Sequence, residues 1–150
     1  MKVLASTHVN APIDITFAVF SDVAQIADRI DGIIKVEMLS EIQQGIGTRW
    51  RETRVMFGRE ATEEMEISVF EENRSYEVVA ESHGAEYHSV YTFAEKDGGT
   101  QVSMVFSAKP ISLMAKVMTP LGYLMKGTAQ KAFEADMSAL KSVAEEGGNA

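Results

Sequence analysis

Two carboxylates, Glu52 and Glu63, come face to face when the segments Thr48 to Met56 and Arg59 to Glu71 fold back on each other about a two-residue turn at Phe57-Gly58. Opposed carboxylates on an inward sheet face repel, which raises one pKa unless a cation stands between them. Arg54, one diagonal step away, is that cation. Ser82 and Tyr87 carry the polar strip on across the next strands. A buried charge without a partner is costly, so the residues either pair with one another at a solvated rim or form a polar mouth. In a mouth, Arg54 or Tyr87 orients a ligand carboxylate, ketone or hydroxyl, and Glu52 or Glu63 is the candidate general base.

Next to that strip lies a row that alternates large with small. With turns also at Glu72-Asn73, Gly84-Ala85 and Gly98-Gly99, Trp50 is expected opposite Met65, Met65 opposite Ala80, Ala80 opposite Ser89, and Ser89 opposite Ala108. Three small side chains in the middle of a curved sheet leave volume for a helix or for a ligand. Val69, Tyr76, Phe93 and Met104 are expected in a bulky row further along, and Tyr91 is expected to face Phe106 beside Val78 and Ile67. A buried Tyr91 hydroxyl needs a hydrogen-bond partner, and a ligand can supply it. The opposite face carries Arg49, Arg51, Glu60, Glu64, Glu66, Glu77, Glu81 and His88 and suits water.

The elements that hold these residues read from periodicity. Lys2 to Asn10 alternates as a strand, Pro12 opens a short helix over Ile13 to Phe20, and Ser21 or Asp22 caps a second that ends near Arg29. Ile33 to Glu41 is a strand. The Gln44-Gly45-Ile46-Gly47 loop leads into the five-strand meander Thr48 to Met56, Arg59 to Glu71, Arg74 to His83, Glu86 to Asp97 and Thr100 to Lys109. From Ile111 the period becomes 3.6, with Val117, Leu121, Met125, Ala129, Ala132, Phe133, Met137, Leu140 and Ala144 on one stripe. Pro120 breaks or kinks this segment. A short helix or lid over Ile111 to Met118 is therefore expected before a helix of about 27 residues, roughly 40 Å long. Met114, Met118 and Met125 can fill irregular gaps beneath it.

The chain has 150 residues, no cysteine and a net charge of -8. That is one domain's worth, read as residues 1–146 with a frayed tail at 147–150. Thiolate metal sites and cysteine nucleophiles are excluded, and the acidic field repels nucleic acid. His8, His83 and His88 share no metal-like spacing, no serine lies in a nucleophile elbow, and no cofactor is expected. Without a long apolar run or leader pattern, the chain reads as cytoplasmic, not inserted in a membrane, and monomeric or homodimeric.

The order strand, two small helices, six strands and one long helix resembles the START-like, or SRPBCC, superfamily. That superfamily includes the birch pollen allergen fold, START lipid-transfer domains and polyketide cyclase/dehydrase-type proteins. The resemblance runs from about Val3 to Val143. It is carried by Val9-Asn10-Ala11-Pro12 leading into Phe17-Ala18-Val19-Phe20-Ser21-Asp22, by Gly45-Ile46-Gly47-Thr48-Arg49-Trp50, and by Gly98-Gly99-Thr100-Gln101-Val102. It implies an α+β helix-grip fold, in which a seven-stranded antiparallel curved sheet wraps a long C-terminal helix. It also implies a cavity between them for a hydrophobic molecule.

Such a cavity, of about 300 to 1,000 Å³, is expected to be lined by Trp50, Glu52, Arg54, Glu63, Met65, Tyr87, Ser89, Tyr91, Phe106, Met118, Leu121 and Met125. The function that follows is binding or transport of a small hydrophobic ligand such as a lipid, quinone, aromatic or polyketide-like compound. Two alternatives use the same residues differently. One is a cyclase, aromatase or dehydratase in which Arg54, Tyr87, Glu52 or Glu63 moves a proton. The other is a protein-interaction module built on the acidic face or on the strand Ile33 to Glu41.

Overall fold

The computed structural model of the chain describes residues 2–56, 58–82, 84–117 and 125–147. Seven strands form one antiparallel sheet: β1 (Lys2–Val9), β2 (Ile33–Met38), β3 (Arg49–Met56), β4 (Arg59–Glu71), β5 (Ser75–Ser82), β6 (Ala85–Lys96) and β7 (Gly99–Pro110). Their order is β1-β7-β6-β5-β4-β3-β2, the sheet expected for a helix grip. Between β1 and β2 come α1 (Ile13–Ser21), a 3-10 turn (Val23–Gln25) and α2 (Ile26–Arg29). After β7 come α3 (Leu113–Val117) and α4 (Lys126–Glu145). The described part of the C-terminal helix is thus 20 residues. Pro120 and the kink expected there lie outside the described residues, as do Met118 and Leu121. Among the described residues no helix is long and apolar enough to cross a membrane.

Local chemistry moves three of the four expected turns without exchanging the sheet's faces. The last hairpin turns on Asp97-Gly98, at φ 50° and 76°, and not on Gly98-Gly99. A two-residue turn whose twist suits antiparallel strands needs positive φ at both positions, and Asp-Gly supplies it. Gly99 then sits in β7 opposite Lys96, where a Cβ would collide with the Val9 carbonyl oxygen. Because that neighbour is backbone, Gly99→Ala is expected to cost about 1–3 kcal/mol, read as a lower urea midpoint.

The β5–β6 turn likewise falls one residue early, so Ala80 faces Tyr87 and Ser89 faces Val78 and Phe106. The expected pairings of Ala80 with Ser89, Ser89 with Ala108 and Tyr91 with Phe106 are therefore corrected. Each pairing slips by two residues, which preserves the face. The observed rows are Trp50–Met65–Ala80–Tyr87–Ala108 and Ile67–Val78–Ser89–Phe106. Between β4 and β5 the turn takes three residues, with Asn73 at φ 61°. A bulge between Ile67 and Val69 absorbs the extra one. Val69 consequently faces out, and Phe70 takes the inward place opposite Tyr76.

The concave face has a closed end and a polar end. At the closed end Phe17 of α1 meets Phe70, Tyr76 and Phe93 edge-on, with centroids 5.2, 5.9 and 5.0 Å apart. The Tyr76 hydroxyl donates to the Phe20 carbonyl at 3.0 Å. Helix α4 lays Met137, Leu140, Val143 and Ala144 into this core. It also covers the edge of β1, where Gln130 Nε2 donates to the Leu4 carbonyl at 2.5 Å and Lys141 Nζ to the His8 carbonyl at 2.6 Å. At the other end the Ile111 and Ser112 amides donate to the Gly84 carbonyl, which ties the approach to α3 to the β5–β6 turn. Met114 and Val117 of α3 are exposed, so neither joins the inward apolar stripe.

Candidate functional site

Alternation along β3 sends Trp50, Glu52 and Arg54 to the concave face. Glu52 is opposite Glu63, as expected, yet the cation between carboxylates bridges a different pair. Arg54 Nε donates to Glu52 Oε2 at 3.2 Å, and Arg54 Nη1 donates to Asp136 Oδ2 of α4 at 3.0 Å. All three side chains are largely shielded, with 7% of Glu52, 18% of Arg54 and 14% of Asp136 exposed. Sequence reasoning missed Asp136. Its signal is a carboxylate on the apolar stripe of α4, three residues after Phe133 and four before Leu140.

The electrostatics follow from burial. Loss of water raises the Glu52 carboxyl above the ordinary carboxylate range; the Arg54 charge opposes the rise and Asp136 adds to it. Burial raises Asp136 in the same way, again against the pull of Arg54. For Arg54, burial favours the neutral form, but the Asp136 and Glu52 charges outweigh it and hold the guanidinium charged. The trio thus has two acids for one base.

Donors and aromatic rings surround it. Trp50 is 3% exposed, and its indole Nε1 has no hydrogen-bond partner within bonding distance among the described residues. The N–H nonetheless favours the ionised form of the Glu52 carboxyl, the last and smallest of the influences on it. Tyr91 stacks on Tyr76 at 4.7 Å. Burial pushes its hydroxyl well up, and the charges of Asp136, Arg54 and Glu52 all bear on it. Tyr87 stacks on Phe106 at 5.8 Å, and Phe106 meets Phe133 of α4 at 4.9 Å. The Tyr87 hydroxyl is raised first by burial and then by Glu63. Glu63 therefore sits with Tyr87 and outside the Arg54 trio.

Of the residues expected to line a cavity, Glu52, Arg54 and Tyr91 come together with Asp136, and Trp50 lies beside Glu52. Tyr87, Phe106 and Glu63 form a neighbouring group, while Met65 and Ser89 are half-buried in the rows between. Met125 is half-buried just before α4, and Met118 and Leu121 lie outside the described residues. On the opposite face, Arg49, Glu64, Glu81, Glu86 and His88 line a groove of about 480 Å³. There His88 bonds Glu86 and Glu77, which raise its pKa against the effect of burial. Those charges are solvated ion pairs of the outer sheet face.

The fold recurs in solved structures of low sequence identity. TTHA0849 from Thermus thermophilus superposes with a TM-score of 0.78 at 15% identity, covering 99% of this chain and all of that one. A START superfamily protein from Mycobacterium smegmatis gives 0.76 at 13% identity, with 97% of each chain covered. The di-domain ARO/CYC StfQ from the steffimycin biosynthetic pathway gives 0.79 at 11% identity, covering 98% of this chain and 51% of that one. No curated protein matches the sequence. Residues 1–145 match, as a whole, the family described as polyketide cyclase / dehydrase and lipid transport. With nearly its full length accounted for by that match, this helix-grip chain belongs to the polyketide cyclase/dehydrase and lipid transport family.

Proposed function

We propose that the chain binds a small hydrophobic molecule between the concave sheet face and the C-terminal helix. The observation that carries this reading is the contrast between the two ends of that face. At the closed end Phe17, Phe20, Val102 and Met104 are sealed, whereas Ala80, Tyr87, Ser89, Phe106 and Ala108 keep exposed surface although they lie on central strands. Small residues flanked by aromatic rings, with one polar cluster beside them, are the usual composition of a ligand site. The family's description, which includes lipid transport, supports the same reading. Native mass spectrometry of the purified protein, followed by titration with fatty acids and polyaromatic compounds, tests it. A 1:1 complex in roughly the micromolar range or tighter is expected, and a panel in which nothing binds would refute it.

A second reading, an enzyme of the cyclase, aromatase or dehydratase kind, draws on the buried Glu52. Its raised carboxyl suits proton transfer, and orientation plus one acid or base suffices for such chemistry. However, Glu52 is bonded to Arg54, and a base so engaged must first leave the guanidinium. Binding is therefore the better-supported function. Recovery of a chemically altered ligand from the natural protein, and an unaltered one from Glu52→Gln, would favour the enzyme.

A further inference from the structure

The Arg54 guanidinium looks made for a ligand carboxylate, but its charge is already opposed twice. Glu52 Oε2 takes its Nε–H and Asp136 Oδ2 takes one Nη1–H, which leaves Nη2 without a partner among the described residues. The Trp50 indole N–H is a second donor, in a side chain 97% buried: no acceptor among the described residues lies within hydrogen-bond distance, although the N–H is close enough to the Glu52 carboxylate to favour its ionised form. Asp136 also keeps an oxygen that accepts no hydrogen bond among the described residues, and the Tyr91 hydroxyl lies within the field of all three charges. Among the described residues only the Trp50 N–H is both sealed and without a partner, so Arg54 Nη2 and the second Asp136 oxygen keep some exposure, and a group that both accepts and donates matches such a mixed set.

We infer that the site selects an apolar ligand whose polar end is an uncharged hydroxyl, above all a phenol, and rejects one that ends in a carboxylate. A hydroxyl oxygen accepts from Trp50 or Arg54 while its O–H donates a hydrogen bond to Glu52 or Asp136. A ligand carboxylate satisfies the same donors but brings a third negative charge against a single positive one, in surroundings that screen charge poorly. An alkylammonium pairs with the acids and leaves the indole N–H unanswered. Glu63 reinforces the bias, because it adds a further negative charge beside Tyr87 on the same face. The inference deepens the binding function proposed above and rests on it.

The test uses 2-naphthol, 2-naphthoate and naphthalene as matched probes, titrated calorimetrically into the natural chain and into Asp136→Asn, Glu52→Gln and Trp50→Phe. At pH 7 the natural chain is expected to bind 2-naphthol at least about tenfold more tightly than 2-naphthoate. Either amide variant should narrow that ratio about tenfold, because removing one negative charge leaves the guanidinium able to receive the ligand's. Trp50→Phe should weaken 2-naphthol more than it weakens naphthalene. Equal affinity for the two polar probes in the natural chain would overturn the inference. So would a ratio unmoved in both Asp136→Asn and Glu52→Gln, since the discrimination would then come only from the carboxylate's own dehydration. If naphthalene binds while either result is obtained, the binding function stands and only the head-group preference falls. If no probe binds, the inference falls, and the binding function falls with it only if the fatty acids of the wider panel fail to bind as well.

Discussion

Arg54→Met is expected to destabilise the folded chain by about 3–5 kcal/mol at pH 7, because it leaves Glu52 and Asp136 shielded from water with no positive charge between them. The effect should depend on pH in a defined direction. Both carboxyls titrate above their ordinary range in the folded chain, so the stability tied to them is greatest below the unfolded carboxylate range and is lost as pH rises through their raised values. Removing Arg54 moves those values further up and enlarges the loss. The deficit of Arg54→Met against the natural chain should therefore shrink between pH 7 and pH 5, as the two acids take up protons. Urea unfolding at both pH values measures it. An equal deficit at each would mean that the lost packing of the arginine stem, and not charge, is responsible.

The same trio separates stability from recognition. Replacing all three together, Glu52→Met, Arg54→Met and Asp136→Leu, removes the charges along with their desolvation and should leave a chain as stable as the natural one or more so, by up to about 4 kcal/mol. Single losses and the triple replacement will then be strongly non-additive, as expected of side chains that share one network. If the triple variant is that stable, the fold does not require the charged cluster, and the proposed ligand contact is the better explanation of it. The triple variant should accordingly keep its affinity for naphthalene and lose its preference for 2-naphthol.

The sheet was legible in the chain because alternation is robust to small errors in turns. Placing the β5–β6 and β6–β7 turns one residue late shifts each pairing by two, so Tyr87, Ser89, Tyr91 and Phe106 stay on the inward face even though their partners change. The β4–β5 hairpin carries two compensating departures, a three-residue turn and a bulge, and only Val69 and Phe70 exchange places. Glu52, Glu63 and Arg54 could be set side by side because one strand pair with a two-residue turn determines their positions.

Asp136 could not be reached in that way. Its meeting with Arg54 spans 82 residues and depends on how α4 is rotated over the sheet, which strand periodicity does not encode. The apolar stripe did carry a trace of it, because a lone carboxylate between Phe133 and Leu140 has to find a buried partner. Trp50 was legible as a buried, inward-facing residue through its size and parity. Its unused indole N–H was not, because a missing hydrogen bond depends on distances of tenths of an ångström.

Phe17→Ala is expected to cost about 3–5 kcal/mol, a fall in Tm of roughly 6–20 °C for a domain of this size. The ring is 2% exposed and is the hub of the closed end, in contact with Phe70, Tyr76 and Phe93 from three strands. Its removal opens a cavity that those neighbours, fixed on their strands, can only partly fill. Phe106→Ala, at the half-buried end, removes a ring of equal size that touches Tyr87 and Phe133 and should cost less. Binding should show the reverse order. A ligand that binds only the folded chain raises stability by an amount set by its affinity. If the ligand space lies at the polar end, a saturating polyaromatic probe should raise the Tm of Phe17→Ala as much as that of the natural chain and raise that of Phe106→Ala less. Equal rises in the two variants would mean that the probe binds elsewhere, and a rise lost only in Phe17→Ala would place the ligand at the end that the aromatic rings now close.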